Sequence, residues 1–250
     1  MLEITILGCG ASLGVPVLAC KCKICMSNDP YNKRARPSIL ISKDDKNILV
    51  DFGLDVRMQL MRENINSLDA AILTHDHADH VGGIDDLRVF GYDTDTSLSI
   101  YSDPKTIDII SNRYNYMIKE KRIKMNKLDG YESMHNIAGV DIQFFEQDHY
   151  SMKSLGLRIG DFVYTNDVIS YPHGSEKFLS NAKTCVIDCM DYTSTLAHFG
   201  LDKVLLWNEK YRPEFVWLTN MSHTIDYFEI QKQLPANMKP LYDGQKISVG

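Results

Sequence analysis

The stretch that decides the fold is THDHADH, Thr74–His80, which follows the apolar run Ala70–Leu73 and precedes Gly82-Gly83. A short apolar run reads as a buried strand, and a strand ending in a loop lets a rigid sheet aim several side chains at one point. His75 and His77 stand two apart, so an extended backbone sends both to the same side. Asp79 and His80 lie just beyond and could serve a second ion close by. The glycine pair would let the chain turn sharply into the next helix. Neutral imidazoles and carboxylates suit zinc, manganese or iron. With 8 His in the whole chain, three of them between His75 and His80 fit a metal site far better than a solvated loop.

Working outward, apolar alternation or short apolar runs predict strands at Leu2–Leu7, Ser38–Ile41, Asn47–Val50, Ala70–Thr74 and Leu98–Tyr101. Others are predicted at Val140–Phe145, Leu155–Ile159, Phe162–Thr165, Thr184–Ile187 and Phe215–Thr219. Helical patterns fall at Asp55–Asn64, Pro104–Ile118, Ser194–Asn208 and Thr224–Gln233. The segment from Asn112 to Asn136 gives no clear path. Helices covering two stacked sheets satisfy this order better than a purely parallel sheet does. With no repeat, low-complexity tract or Pro/Gly/Ser-rich linker, one domain over residues 1–250 is the simplest parse.

A chain of 250 residues, 44% hydrophobic, can bury a real core. Its formal net charge of -6 and pI near 5.7 argue against coating nucleic acid or anionic membrane, which takes a basic footprint. An anionic small substrate stays open, because bound cations supply a local positive field. The start, MLEITILGCGASLG, lacks the cationic stretch, apolar core and cleavage site of a secretory signal. No apolar run approaches the roughly 18 to 20 residues that span a bilayer. The expectation is a soluble, cytoplasmic protein.

Six cysteines in that setting read as thiols or metal ligands rather than a disulfide framework. Cys20, Cys22 and Cys25 form C-x-C-x-x-C in LACKCKIC, and three thiolates so close suit a tetrahedral zinc wanting one more sulfur or nitrogen. Cys9, Cys185 and Cys189 lie in or beside apolar strands, where core packing is the default.

The H-x-H-x-D-H run resembles the signature of the metallo-β-lactamase superfamily. The resemblance covers nearly the whole chain, from GCGASLGVP at Gly8–Pro16 to LPANMKPLYDG at Leu234–Gly244. It implies an α/β fold, a four-layer αβ/βα sandwich, with one or two metals at the sheet edge. It also implies later ligands, each after a strand: His149 in EQDHYS and Asp167, the bridging carboxylate, in VYTNDV. The last position departs from the pattern. LTNMSH puts Asn220 where relatives most like this chain read L-T-H-x-S-H, and an amide oxygen is a weaker, harder donor than imidazole. Within the superfamily the chain looks like the branch of the phosphonate-pathway cyclic phosphodiesterase. There the cysteine triplet joins a His near the carboxyl end, matched here by His223, around a structural zinc.

The resemblance implies a metal-dependent phosphodiesterase with two divalent catalytic ions, manganese or zinc, and one structural zinc. Two ions with Asp79, Asp167 and one bridging hydroxide leave roughly +1, which favours a reacting centre of single negative charge. Such ions lower the pKa of water toward neutrality and stabilise developing charge on phosphoryl oxygens. His198, in TLAHFG, matches the family's proposed general acid, and Asp79 could orient the nucleophile. Arg36 and Arg88 are candidates for gripping phosphate or ribose oxygens through guanidinium forks.

The expected partner is a small cyclic or nucleotide-like phosphodiester, not extended nucleic acid or membrane, with homodimer formation left open. Three other readings compete. A tRNA 3′-processing endonuclease shares the catalytic ligands but adds a flexible basic arm, and no Gly/Pro/Lys-rich insertion stands out here. A thioester or lactam hydrolase of the same fold is the second. The third is a zinc-stabilised nucleotide-binding protein without catalysis, suggested by Asn220.

Overall fold

The computed structural model describes residues 2–92, 97–129, 134–172 and 174–250. The first half builds β1 (Leu2–Gly8), β2 (Ser38–Lys43), β3 (Lys46–Val50), β4 (Ala70–Ile72), β5 (Leu98–Ser102) and β6 (Ile123–Lys127). The second builds β7 (Met134–Ile137), β8 (Val140–His149), β9 (Met152–Ile159), β10 (Phe162–Thr165), β11 (Thr184–Asp188), β12 (Phe215–Thr219) and β13 (Met238–Pro240). The final strand β14 (Lys246–Val249) returns to the first sheet, giving the order β14-β1-β2-β3-β4-β5-β6 beside a second sheet ordered β13-β12-β11-β10-β9-β8-β7. Helices α1 (Val56–Arg62), α2 (Ala78–Val81), α3 (Pro104–Arg113) and α4 (Asn115–Lys119) belong to the first half, and α5 (Leu201–Tyr211) and α6 (Tyr227–Gln231) to the second.

Period-two side-chain alternation explains the layering. Ile39 and Ile41 of β2, Ile48 and Val50 of β3, and Ala70 and Ile72 of β4 enter the core shared with the second sheet. The residues between them, Leu40, Leu49 and Ala71, join Val56 and Leu60 of α1 and Ile110 of α3 in a separate core. Both faces of the sheet are therefore buried, which is why these strands read as continuous apolar runs. On the far side, Leu201, Val204 and Trp207 of α5 and Ile230 of α6 cover the second sheet. Each such side chain contributes about 1.5–3 kcal/mol by leaving water. The result is the four-layer αβ/βα sandwich.

Every predicted strand has a counterpart; Phe162–Thr165 and Phe215–Thr219 match residue for residue, and the others differ at one or both ends. β8 continues past Phe145 to His149 itself, so that residue ends a strand rather than following one in a loop. β4 stops at Ile72, and the Thr74 amide donates not to a ladder carbonyl but to the Asp51 carboxylate at 2.8 Å. The helix predicted at Pro104–Ile118 breaks at Tyr114 into α3 and α4. The one predicted at Ser194–Asn208 begins only at Leu201. Ahead of it, Thr195 Oγ1 accepts from the Ala197 and His198 amides, and Ser194 Oγ accepts from the Gly200 amide, so side chains take the bonds a helix would need. His198 accordingly lies in a loop. The sequence pattern does not predict β6, β7, β13 and β14; all four are edge strands, and β13 has only three residues.

The Gly82-Gly83 pair works differently from the sharp turn expected of it. Both have ordinary helical-side φ values, -61° and -96°. A Cβ on Gly83 would stand 2.2 Å from the Gly53 carbonyl oxygen, and one on Gly82 2.5 Å from that of Ala78. Close approach, not a left-handed turn, requires glycine here. Among the described residues no helix is long and apolar enough to cross a membrane.

Candidate metal centre

β3, β4 and β5 run parallel, as do β10, β11, β12 and β13. Their carboxyl ends are where an open sheet can present ligands. Asp51 follows β3, His75 and His77 follow β4, His149 ends β8, Asp167 follows β10, Asp188 ends β11 and Asn220 follows β12. Asp51, Asp167 and Asn220 turn out of their sheets at φ +59°, +52° and +62°. Asp and Asn tolerate this left-handed geometry better than other residues with a Cβ.

Two ligand sets meet around Asp167. In the first, His77 Nδ1 lies 3.0 Å from His75 Nε2 and 3.2 Å from His149 Nε2. Neutral rings cannot all satisfy one another at that spacing. A tetrahedral ion with bonds of about 2.1 Å would separate its nitrogens by roughly 3.4 Å, so the three rings fit a cation. In the second, His80 Nε2 is buried without a hydrogen-bond partner, 2.9 Å from Asp167 Oδ2 and 3.3 Å from Asp79 Oδ2. An orphaned imidazole nitrogen facing two carboxylates fits a second cation. His75, His80 and Asp167 also form a set of donors near enough to share an ion, as do His149, Asp167 and His198.

The surroundings orient these groups. His80 Nδ1 is 2.7 Å from Asp51 Oδ2, and the Thr74 hydroxyl donates to the same oxygen at 2.9 Å. His149 Nδ1 reaches the Ala197 carbonyl at 3.0 Å. A ring tied at one nitrogen offers the other to a metal in a fixed direction. Burial opposes charge on His80, yet Asp51 and Asp167 outweigh it and hold its pKa well above the usual imidazole value. Burial, reinforced by His80, keeps His75 well below it and neutral. Burial would raise the Asp167 carboxyl, but His80 holds it well below the ordinary range. His198 is likewise opposed by burial, then raised to about 9 by Asp188 and, after it, Asp167.

A second cluster stands apart. The Sγ atoms of Cys20, Cys22 and Cys25 lie 3.3, 3.5 and 3.6 Å from His223 Nδ1. Zinc bonds of about 2.3 Å to sulfur and 2.1 Å to nitrogen give a tetrahedral edge of roughly 3.6 Å, so the donors match. Thiolate formation is already favoured at Cys22, whose pKa falls to about 6 through the Cys25 amide bond, against partial desolvation. All six cysteines are free thiols.

The sequence-predicted residues His75, His77, Asp79, His80, His149 and Asp167 are thus brought together, and so are Cys20, Cys22, Cys25 and His223. Asn220 lies in the same place: its amide nitrogen donates to Asp167 Oδ1 at 3.1 Å and Asp188 Oδ1 at 3.0 Å, bracing two carboxylates beside the ligand sets. Arg36 donates to Asp55 and the Ser12 carbonyl, and lines a cavity of about 640 Å³ with Lys33, Arg34 and Arg62. Arg88 is half-exposed and paired with Asp85. Neither arginine contacts the ligand sets. Sequence reasoning missed Asp51 and Asp188; the available signal was an aspartate closing an apolar strand, in LVDFG and VIDC.

A family model described as a β-lactamase superfamily domain matches residues 46–221. The chain is 29% identical over 248 residues to an octanoyltransferase of Porphyromonas gingivalis, covering 96% of this chain and 50% of that protein. It spans about half the length of the curated relatives it matches. The crystal structure of a diphosphatase from the PhnP family superposes with a TM-score of 0.94 at 30% identity, covering 100% of this chain and 98% of that one. Zn(2+)-bound PqqB from Methylobacterium extorquens shares the fold, with a TM-score of 0.84 at 16% identity over 99% and 100% of the chains.

Proposed function

The chain belongs to the β-lactamase superfamily, as a PhnP-like member, and is a metal-dependent hydrolase; from that premise we propose that it cleaves small, nucleotide-like phosphodiesters. The observation that carries this is the pair of ligand sets meeting at Asp167, with His198 beside them and not among the first three rings. His75, His77 and His149 would hold one divalent ion, and Asp79, His80 and Asp167 the other. Bound there, zinc or manganese would bring water near neutral pKa and offset negative charge on the phosphoryl oxygens. The Asp79 carboxylate, itself a hydrogen-bond acceptor, would orient the attacking water. His198 gives a proton to the departing oxygen. The cysteine cluster with His223 holds a structural zinc.

The acidic net charge of -6 supports a small substrate over extended nucleic acid. Free thiols suit the cytoplasm, and all 250 residues are taken as one working unit. A second reading is favoured by the PhnP-family relative described as a diphosphatase: the scissile bond would then be a phosphoanhydride. Its leaving phosphate is already a stable anion and needs little help from His198.

The test is hydrolysis of bis-p-nitrophenyl phosphate with added manganese or zinc. His77→Ala should cut turnover at least 10²-fold, since one ion loses a ring nitrogen. Full activity in that variant would overturn the reading.

A further inference from the structure

Asp188 is fully buried, yet it belongs to none of the donor sets that could share an ion. A buried carboxylate persists only when donors surround it. Three do here, each from a different segment. Oδ2 lies 3.0 Å from His198 Nδ1 and accepts the Val168 amide at 3.1 Å, and Oδ1 accepts Asn220 Nδ2 at 3.0 Å. Val168 and Asn220 each adjoin a turn on which the bridging carboxylate depends. Asp188 is therefore the point where the loop carrying His198 is fastened to the ends of β10 and β12.

We propose that Asp188 is the positioning residue for His198, holding the ring with Nδ1–H on the carboxylate so that Nε2 is the nitrogen presented to the leaving oxygen. This rests on the phosphodiesterase reading. The ring also meets the His149 ring edge-on, with centroids 4.9 Å apart, a contact that does not choose between its two nitrogens. The neighbours Thr195 and Ser194 organise the backbone, and the Ala197 carbonyl is occupied by His149. Among the described residues, Asp188 and Asp167 are the carboxylates near Nδ1, and Asp167, at 3.4 Å, is the more distant; Asn220 Nδ2, itself a donor, lies 3.2 Å from the same nitrogen.

In the step so arranged, water forms a new bond to phosphorus as the bond to the leaving oxygen breaks. The Nε2 proton moves to that oxygen, giving a neutral alcohol. Asp188 stays ionised and Nδ1 keeps its proton. The proton shed by the attacking water returns Nε2 to its starting state, so one water is consumed and no other reactant is needed. Asn220 completes the shell of Asp188 by donating one amide nitrogen to both carboxylates.

The experiment compares two diesters with wild type, His198→Ala, Asp188→Asn and Asp188→Glu. One diester expels p-nitrophenolate, which departs without a proton. The other, a nucleoside 2′,3′-cyclic phosphate, expels an alkoxide that needs one. An amide at 188 offers one acceptor oxygen to three donors, so it cannot hold the ring. Asp188→Asn and His198→Ala should lose about 10²-fold or more on the cyclic substrate and less than about 5-fold on the p-nitrophenyl ester. Asp188→Glu, which keeps a carboxylate, should recover part of the loss. Bound metal per chain should be the same in all four proteins.

A readout independent of turnover is the His198 Nδ1–H resonance in ¹⁵N-histidine-labelled, metal-free protein. It should persist in wild type and vanish in Asp188→Asn. If His198→Ala splits the two substrates but Asp188→Asn loses both equally or sheds metal, the inference alone is overturned. If His198→Ala hydrolyses both diesters as wild type does, the general-acid reading falls and the inference with it.

Discussion

Asp243 shows how a single side chain can carry a measurable pH dependence away from the metals. Its carboxylate accepts the Ala35 amide at 2.7 Å and the Cys9 amide at 3.1 Å, with Arg62 3.4 Å away. Burial nonetheless dominates and raises its pKa to about 6. A carboxyl raised on folding stabilises fully below its unfolded pKa, and that contribution is lost as pH climbs through the folded value. A shift of about two pH units corresponds to roughly 3 kcal/mol. Between pH 4 and pH 7.5, wild type should therefore lose about 2–3 kcal/mol relative to Asp243→Asn, measured as urea unfolding free energies of both proteins. Every other group is common to both proteins and cancels in the difference. A gap that stays constant with pH would mean that Asp243 is ionised throughout. The same scale separates legible from illegible site residues. His75, His77, Asp79 and His80 announce themselves because chemistry is packed into one short run. Asp51 and Asp188 do not, since an aspartate at a strand end looks like any turn residue until its partner, His80 or His198, is brought against it by the fold.

At the scale of elements, the ligand loop is clamped by backbone contact more than by its own helix. α2 is a single turn, too short to be stable alone. The His80 carbonyl accepts the Phe52 amide at 2.6 Å, and the Gly83 amide donates to the Phe52 carbonyl at 2.9 Å. Two segments that close leave no room for a Cβ at Gly83, which would meet the Gly53 oxygen and Val56 Cγ1 at 2.2 and 2.5 Å. Gly83→Ala should cost about 3 kcal/mol, because backbone must move, and should weaken metal binding with it. Gly139→Ala is the control: its Cβ enters open space, and only φ +83° is strained, worth about 1–2 kcal/mol. Equal thermal shifts in the two variants would count against a clamp at Gly53. Core strands such as β2, β3 and β10 were legible because both faces are buried and the apolar run is unbroken. β6 and β7 were not, because an edge strand with one wet face shows little more than alternating polarity, as in IKMNK and MHNI. The loop before α5 was misread for a reason of the same kind: its Ser and Thr hydroxyls outcompete the helical ladder, and propensity does not register that.

At the scale of the whole molecule, the cysteine cluster joins residues about 200 positions apart beside the carboxyl end of β12. It does not act alone. Buried Arg34 donates to the Ser222 and Ile225 carbonyls, and the Met221 amide donates to Cys9. Three devices therefore fasten the loop after β1 to the turn that carries Asn220. A cross-link closing a loop of that length is worth at most roughly 5 kcal/mol by restricting the unfolded chain. Because Arg34 and the pairing of β1 with β14 already close much the same loop, the zinc's share should be smaller. His223→Ala should lower the melting temperature by about 5 °C, given roughly 2–4 °C per kcal/mol for a chain of this size. It should also release one zinc per chain and expose the loop near Leu18, already almost fully accessible, to protease. The remaining divalent ions should stay bound, with p-nitrophenyl ester turnover within about 10-fold of wild type, since none of their ligands is touched. Metal analysis of the purified variant decides the matter. An unchanged zinc count would mean that Cys20, Cys22, Cys25 and His223 hold no ion. Loss of every ion together would mean that the two clusters form one cooperative unit.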